Sequence, residues 1–231
     1  MDYILDGLGQ AFVLLGSGHA ETYAAILATL AVSTMSIIAT LLIGTPLGFL
    51  LGYGQFPGRT PIRTVIDTLL SLPTVVIGLL VYAFLSRRGP LGELGLLFTL
   101  RGIAIGQTIL GLPIVIAITA TAVENLDRRL KLTLLTLGAG RAQILFSTLW
   151  EARFSLMLAG LAAYGRIVSE VGISLMIGGN IKWNTRTITT AIALETGKGD
   201  FAKGIALGLV LMMIAIAVNL FVVRLRKRSE Q

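Results

Sequence analysis

Residues 204–223 read GIALGLVLMMIAIAVNLFVV, a run of twenty residues that contains no charged side chain. An α-helix of about twenty residues spans the roughly 30 Å hydrocarbon core of a bilayer. The run is about twice as long as a strand of a membrane barrel, and it lacks the strict alternation that such a strand needs. We therefore predict that residues 204–223 form a transmembrane helix.

Four more apolar stretches precede this run, at residues 22–53, 64–85, 102–123 and 154–177. Only 13 % of the 231 residues are charged, about half of the share found in soluble domains. Helices and closed barrels alone satisfy every backbone group in hydrocarbon, and these lengths favour helices. We predict an all-α, polytopic membrane bundle of five transmembrane helices in a single domain, residues 1–231. A short sixth span near the N-terminus is the alternative.

The composition argues against several kinds of site. The chain has no cysteine and a single histidine, His19, so thiolate ligands and multi-histidine metal centres are not expected. The net charge of +7 is also typical of nucleic-acid-binding proteins. In a chain this apolar, lysine and arginine beside the membrane boundaries explain the charge better, and we predict no nucleic-acid partner.

The distribution of lysine and arginine predicts which loops face the cytoplasm, because inner loops carry more of them. With the N-terminus outside, the inner segments contain Arg59, Arg63, Arg128, Arg129, Lys131, Arg141, Arg153, Arg224, Arg226, Lys227 and Arg228. The outer segments contain the smaller set Arg87, Arg88, Arg101, Lys182, Arg186, Lys198 and Lys203. This orientation makes residues 1–20 an outer amphipathic segment, residues 124–153 a cytoplasmic segment and residues 178–203 an outer loop.

The inner segment is longer than a plain connection between two spans, which takes about four to six residues. It reads as a helix over residues 127–137, a break at Gly138-Ala139-Gly140 and a second helix from Arg141. We call residues 124–153 the elbow. Its length predicts that it docks a cytoplasmic partner.

Small residues and prolines interrupt the spans. Gly44, Gly48 and Gly52 recur every four residues, which puts them on one helix face where a second backbone can approach closely. That face serves either packing within the subunit or contact between subunits, and we favour the former. Pro73 and Pro113 lie inside predicted spans, where each removes a helix hydrogen bond and allows a kink.

Two ionisable side chains interrupt the fourth stretch. On a continuous helix, Arg166 and Glu170 would stand four residues apart on one face. Charges within a span are usually paired or face a cavity, because hydrocarbon does not solvate them. Two interpretations stay open, namely an internal ion pair that only fixes packing, or a pair at the transport pathway or at a gate between subunits.

The predicted outer loop, residues 178–203, also allows more than one role. It carries the basic residues Lys182, Arg186, Lys198 and Lys203, together with several asparagine and threonine donors. Such groups could bind an oxyanion, dock an external substrate-binding protein or only keep the loop soluble. We favour docking, because the loop lies where a soluble partner would arrive.

The centre of the elbow reads Leu137-Gly138-Ala139-Gly140-Arg141-Ala142-Gln143. This stretch resembles the cytoplasmic loop of binding-protein-dependent ABC importer permeases. In that family a Glu-Ala-Ala triplet precedes the glycine, and Leu132, Thr133 and Leu134 occupy those positions here. The resemblance implies that the ATPase-coupling residues are Leu137, Gly138, Ala139, Gly140 and Arg141.

Residues 164–172, 176–181 and 185–196 read YGRIVSEVG, MIGGNI and TRTITTAIALET. These motifs are similar to permease subunits of importers for sulfate, molybdate and tungstate, and they look most like the tungstate branch. The likeness covers about residues 22–223 and implies the type I ABC importer permease fold in the cytoplasmic membrane. Within these motifs we assign the pathway or gate to Arg166, Ser169, Glu170 and Asn180.

The resemblance further implies a homodimer with two ATPase subunits, an external oxyanion-binding protein and surrounding lipid. No phosphate-binding loop is present, since Gly197-Lys198-Gly199 lacks the upstream glycine and the hydroxyl residue of that motif. We expect no catalytic residue and no directly bound cofactor, with ATP used by the partner subunit. A permease for molybdate or sulfate is the near alternative. An ion-coupled secondary transporter or a membrane-embedded lipid enzyme would instead work without an ATPase.

Cysteine labelling tests the predicted orientation without interference, because the chain has no native cysteine. A cysteine at Lys198 should react with a membrane-impermeant maleimide added to intact cells. A cysteine at Arg128 should react only after the membrane has been opened. Reversed labelling would put the elbow outside the cell and contradict the assignment.

Overall fold

The computed structural model describes residues 19–229 together with Gly9, Val13 and Gly16, with the backbone alone for residues 128, 131, 221, 222 and 225–229. Apart from those three residues, His19 and Ala20, the predicted outer segment 1–20 lies outside the described residues. In chain order the helices are α1 Ala20–Tyr53, α2 Arg59–Leu69, α3 Thr74–Leu85, α4 Leu100–Glu124, α5 Arg128–Thr136, α6 Arg141–Glu151, α7 Arg153–Val168, α8 Gly172–Gly178, α9 Ile188–Gly197 and α10 Phe201–Ser229. A short 3-10 turn spans Gly92–Leu94, and the described residues contain no strand, so the all-α prediction is confirmed.

Helices α1 and α4 pack against each other and form the centre of the bundle. A Cβ added at Gly48 would lie 2.6 Å from Thr119 Cβ, and one at Gly52 would lie 2.5 Å from the carbonyl oxygen of Ala120. The backbones approach this closely only because both positions are glycine. The small-residue face therefore packs within the subunit, as we favoured from its spacing.

Three described helices are long and apolar enough to cross a membrane, namely α1, α4 and the apolar part of α10. Two bent pairs raise the number to five if each pair counts as one span. The pairs are α2 with α3, bent by 102°, and α6 with α7, bent by 69°. The predicted number of spans agrees with this upper count, but the count includes α6, which the sequence analysis placed in the elbow, and two spans follow a different course from the one predicted.

The second and fourth predicted spans are broken rather than continuous. Helix α2 ends at Leu69 and α3 begins after Pro73, whose fixed φ and missing N–H group favour a break there. In the fourth stretch α7 ends at Val168, and the short α8 follows only after residues 169–171. Pro113, by contrast, lies inside the unbroken helix α4. Hydropathy did not reveal the breaks, because it averages over them.

Most of the predicted outer loop, residues 178–203, is helical. Helix α9 lies between α1 and α10, in a buried cluster that contains Ala25, Ile188, Ala191, Leu207 and Val210. Only residues 179–187 and 198–200 remain outside helices in this region. The predicted outer loop thus contains the helix α9, which forms because its apolar centre is buried against neighbouring helices.

Segments that the charge count assigned to one side of the membrane contact each other. At the predicted outer end, Glu21 of α1 pairs with Lys182 at 2.9 Å and also with Arg186. At the predicted inner end, Arg59 of α2 pairs with Glu124 at the end of α4. The fold therefore has the two ends that five alternating spans require, and the labelling experiment tests which end faces the cytoplasm.

Replacing Gly48 by alanine should destabilise the bundle, because the new Cβ would overlap Thr119 Cβ at 2.6 Å and the Ile116 carbonyl oxygen at 2.8 Å. Overpacking of this kind costs about 1–3 kcal/mol. The measurement is the thermal unfolding midpoint of the purified protein in detergent. Gly208→Ala is the control, since a Cβ there meets nothing within 4 Å. Equal midpoints for the two variants would contradict the close packing of α1 on α4.

Candidate functional site

The elbow consists of α5 and α6 joined by a glycine turn, as predicted. The Asp127 side chain caps α5 by accepting a 2.9 Å hydrogen bond from the backbone two residues further on. At the other end Gly138 adopts a φ of +72°, and the N–H groups of Gly138 and Ala139 donate to the carbonyl oxygens of Leu135 and Leu134. This Schellman arrangement needs a left-handed residue, which glycine provides at least cost.

The five predicted coupling residues form the tip of the elbow. Leu137, Gly138, Gly140 and Arg141 are exposed, and Ala139 is half-buried. Helix α6 starts directly after this tip, where the Gly140 N–H donates to Gln143 Oε1 at 2.8 Å. The structure thus brings these residues together at one accessible point, and their contact with an ATPase stays a prediction.

Large apolar side chains lie on the surface of the elbow. Leu137 is 77 % exposed and Trp150 is 69 % exposed. Leu132, Leu135 and Phe146 are exposed as well, and Phe146 shares one face of α6 with Trp150, four residues away. Apolar surface of this extent marks contact sites for proteins or membranes. The elbow therefore has an apolar surface that fits contact with a protein or with the membrane.

Helix α7 carries Arg166 and Ser169 on a face that the bundle leaves open. The exposed residues of α7 and its C-cap beyond residue 157 are Leu158, Ala162, Gly165, Arg166 and Ser169, at the spacing of one helix face. Ser169 Oγ donates to the carbonyl oxygen of Gly165 at 2.9 Å, so this hydroxyl is used locally. Arg166 has no ion-pair partner among the described residues.

Glu170 is buried, with 4 % of its surface exposed, and it does not pair with Arg166. The prediction of an ion pair assumed a continuous helix, whereas α7 ends at Val168. Glu170 Oε1 instead accepts a hydrogen bond from Ile173 N at 3.1 Å, within the first turn of α8. The predicted ion pair is therefore wrong, because the break separates the two side chains.

A buried polar network, which sequence reasoning missed, connects this break to four helices. Ser36 Oγ of α1 donates to Gln107 Oε1 of α4 at 3.1 Å. Gln107 Nε2 donates to Ser174 Oγ of α8 at 3.3 Å. Ser174 Oγ and Thr189 Oγ1 of α9 both donate to the carbonyl oxygen of Glu170, at 3.3 and 3.0 Å. The carbonyl group freed by the break is thereby satisfied inside the protein.

The sequence does contain a signal for this network. Four small polar residues follow each other at helical spacing in α1, and all are buried: Thr29, Ser33, Ser36 and Thr40. A polar stripe in an apolar helix indicates contact with polar groups of other helices, which Thr29 and Ser36 make here, whereas Thr40 Oγ1 has no hydrogen-bond partner among the described residues. Thr29 Oγ1, for example, accepts a hydrogen bond from Ile188 N at the start of α9 at 2.9 Å.

The outer turn, residues 179–187, uses its polar groups internally. Arg186 Nε donates to Asn180 Oδ1 at 3.1 Å, and the same guanidinium pairs with Glu21. Lys182 also pairs with Glu21. Asn180, which we assigned to the pathway or gate, therefore lies at the predicted outer end of the bundle and orients Arg186.

The other two basic residues of this region are paired as well. The buried carboxylate of Glu195 contacts Lys198 Nζ at 3.0 Å and Lys203 Nζ at 3.4 Å. All four basic side chains of the predicted outer loop thus lie in ion pairs. Two carboxylates, Glu21 and Glu195, are shared by these four cations, so the ion pairs neutralise half of their charge and occupy their donors, which weakens the case for oxyanion binding at this end of the protein.

Comparison with known proteins agrees with this architecture. The sequence profile of the family described as binding-protein-dependent transport system inner membrane component matches residues 44–231. The chain belongs to this family. Among solved structures, the fold is similar to the MetNI methionine ABC transporter in an inward facing conformation, with a TM-score of 0.78 and 18 % identity over 92 % of this chain and 97 % of that one.

Two relatives share most of their length with this chain. A tungstate uptake system permease protein of Campylobacter jejuni is 48 % identical over 227 residues, which cover 98 % of this chain and 95 % of the relative. A tungstate uptake system permease protein of Peptoclostridium acidaminophilum is 36 % identical over 227 residues, covering 98 % of this chain and 100 % of the relative.

Family membership makes the chain an inner-membrane component of a transport system. It confirms the resemblance drawn from the elbow and the Ser169-Glu170 motif, and the solved structure confirms the helical permease fold. The two rival classes, a membrane-embedded lipid enzyme and a self-sufficient ion-coupled carrier, are thereby set aside.

Substitution of Glu170 tests whether the break depends on the charge of this side chain or on the hydrogen bond that it accepts from Ile173 N. Glu170→Gln should leave the bundle nearly as stable as the unmodified chain, because the glutamine Oε1 can still accept this bond. Glu170→Leu should destabilise it by about 1–3 kcal/mol, since a buried N–H loses its partner. Thermal midpoints in detergent give the answer. If both variants fall equally, the fold depends on the charge rather than on the hydrogen bond.

Proposed function

We propose that the chain is the permease subunit of an ATP-driven importer of tungstate, with molybdate and sulfate as alternative cargo. The observation that carries this is the nearly full-length similarity to tungstate uptake permeases. The proposed complex contains two copies of this chain, two ATPase subunits and an external oxyanion-binding protein. The chain itself binds no cofactor, and ATP is used by the ATPase partner.

The elbow supports the docking of an ATPase. It combines an ordered glycine turn with exposed side chains such as Leu137 and Trp150, which a soluble partner would cover. A rigid tip transmits a movement better than a flexible loop, because little of the displacement is lost in the linker. In this proposal the ATPase pair closes on ATP and moves the elbows, and the spans change the access of the pathway.

Gly138→Val should weaken the association with the ATPase while the chain still inserts into the membrane. A β-branched residue at a φ of +72° is strained, so the C-cap of α5 and the tip of the elbow would shift. The measurement is the amount of ATPase that copurifies with the tagged chain. Gly140→Ala is the matched control, because Gly140 has a φ of −71° and space for a Cβ. Unchanged copurification with Gly138→Val would refute the role of the turn.

Arg166 supports an anion pathway along the open face of α7. A guanidinium within a span is costly against lipid, so this face is expected to meet water or the second copy of the chain. In a homodimer two such faces would enclose one pathway. Two positive charges there would attract a tetrahedral dianion without binding it tightly. Weak binding fits a transport pathway, because the anion must also be released.

Arg166→Gln should lower uptake by about tenfold or more, the effect expected when one charge-assisted hydrogen bond is lost. The readout is tungstate accumulated by proteoliposomes that contain the ATPase and the binding protein, measured as tungsten by mass spectrometry. Arg166→Lys is the control, because it keeps the charge and should keep a larger share of uptake. Normal uptake by Arg166→Gln in a fully assembled complex would exclude the arginine from the pathway.

The cargo itself is tested in the same proteoliposomes. Uptake of tungstate should exceed that of molybdate and sulfate when all three are supplied at equal concentration together with the external oxyanion-binding protein of the complex. Preferred uptake of another oxyanion would replace tungstate in the proposal while leaving the permease assignment intact. Uptake without ATP or without the ATPase would contradict the proposal as a whole.

The outer turn, residues 179–187, has an exposed and ordered surface that could bind the external partner. Trp183 and Lys182 are exposed at its tip, and the backbone is held by three N–H groups that donate to the carbonyl oxygen of Ile181. An ordered turn with an exposed tryptophan is typical of a protein contact, because little entropy is lost on binding. This supports docking of the oxyanion-binding protein, the role we favoured for this region from the sequence.

A further inference from the structure

A group of charged residues lies where α2 meets the end of α4, and neither the motifs nor the proposed function accounts for it. The carboxylate of Glu124 contacts Arg59 Nη2 at 2.5 Å and Arg63 Nη1 at 3.6 Å. One acidic residue on α4 therefore holds two arginines that are one turn apart on α2. We call Arg59, Arg63 and Glu124 the inner charge cluster.

Arg59 also binds the last turn of α1. Its Nε donates to the carbonyl oxygen of Leu51 at 2.8 Å, and its Nη2 lies 3.4 Å from the carbonyl oxygen of Gly52. These carbonyl groups belong to a helix C-terminus, which lacks intrahelical donors and attracts positive charge. A single side chain thus joins the ends of α1 and α4 to the start of α2.

Helix α2 has few other attachments to the bundle. None of its residues is buried. Arg59, Arg63 and Ile66 face the bundle at the spacing of one helix face, and Ile66 packs against the cluster of Leu51, Ile116 and Ala120. Arg63 additionally donates to Thr121 Oγ1 of α4 at 2.6 Å. The position of α2 therefore depends largely on the inner charge cluster.

The cluster also lies between the elbow, which the proposed ATPase moves, and the path through α2 to α3. Glu124 is the last residue of α4, and the Asp127 cap of the elbow follows three residues later. In the other direction α2 leads through the bend at Pro73 into α3, whose first turn packs against the start of α8. A Cβ added at Gly172 of α8 would lie 3.6 Å from Val75 Cγ2.

We propose that the inner charge cluster fixes α2 to the base of the elbow, so that a displacement of the elbow moves α2 and α3 with it. Arg59 and Glu124 are then positioning residues, which act on the pathway through α3 and its contact with α8. The inference rests on the proposed function, since it requires an elbow that moves with the ATPase. Without the cluster, the elbow would move while α2 lags behind.

The matched test compares two carboxylates that bind the same arginine. Glu124→Gln removes the negative charge that links α4 to the two arginines of α2, whereas Asp67→Asn removes the negative charge of a 3.3 Å contact to Arg63 that stays within α2. Both carboxylates are partly exposed, so neither change should unfold the bundle. Glu124→Asp is the conservative variant that keeps the charge.

The first readout is oxyanion transported per ATP hydrolysed in proteoliposomes that contain the whole complex. For Glu124→Gln this ratio should fall by about threefold or more, a range found for mutations that alter coupling between sites. The rate of ATP hydrolysis and the amount of bound ATPase should stay near those of the unmodified complex. Asp67→Asn should keep the ratio, and Glu124→Asp should recover at least part of it.

The second readout needs no transported substrate. Spin labels on cysteines introduced at Thr68 of α2 and Asn125 beside the elbow report the distance between the two elements, and the chain has no other cysteine. In the unmodified background this distance should stay the same between the nucleotide-free and the vanadate-trapped complex. With Glu124→Gln it should change or broaden on trapping.

The two readouts separate the inference from the proposed function. If the unmodified complex transports no oxyanion but keeps the spin-label distance constant on trapping, the cargo assignment fails and the cluster keeps its role. If Glu124→Gln keeps both the constant distance and the transport ratio, the inference is overturned. An equal loss of the ratio in Asp67→Asn would overturn it too, because that variant leaves the link between helices intact.

Discussion

Because hydrocarbon offers no hydrogen-bond partners, every backbone N–H and C=O group within the membrane must be satisfied by the protein itself. Continuous helices such as α4 meet this requirement alone, but the break at residues 169–171 does not. Here the side chains of Ser174, Thr189 and Glu170 satisfy the freed groups, and Gln107 ties them to α4. These polar residues inside the apolar core thus serve the break.

The same constraint separates the charges of the molecule into two groups. The ion pairs of the described residues lie at the ends of the bundle, around Glu21 and Glu195 at one end and Glu124 at the other. Water and lipid head groups can solvate charge there, so these pairs cost little and fix the relative positions of helix ends. Arg166 departs from this pattern, and its place on an open face of α7 is the strongest indication that this face does not meet lipid.

Close packing and ionic contacts hold different parts of the bundle. Helices α1 and α4 meet through Gly48 and Gly52 and form an interface that tolerates little displacement. Helix α2, in contrast, has no buried residue and is held mainly by ionic contacts. The inner charge cluster joins the two kinds of attachment, because Arg59 connects α2 to the ends of both closely packed helices.

The sequence by itself determined the membrane class, the all-α fold, the small-residue face of α1 and the turn of the elbow. Each of these follows from local properties, namely the length of an apolar run, a four-residue spacing or a glycine between two helices. The family also followed from the sequence, because its motifs are short and continuous in the chain.

Only the tertiary structure decided where helices break and which polar groups meet. Arg166 and Glu170 are four residues apart in sequence, yet the break turns one outward and buries the other. The network of Ser36, Gln107 and Ser174 and the inner charge cluster join residues that are more than sixty positions apart. Such contacts depend on how helices pack across the bundle. A single sequence shows which residues are present but not which of them make contact.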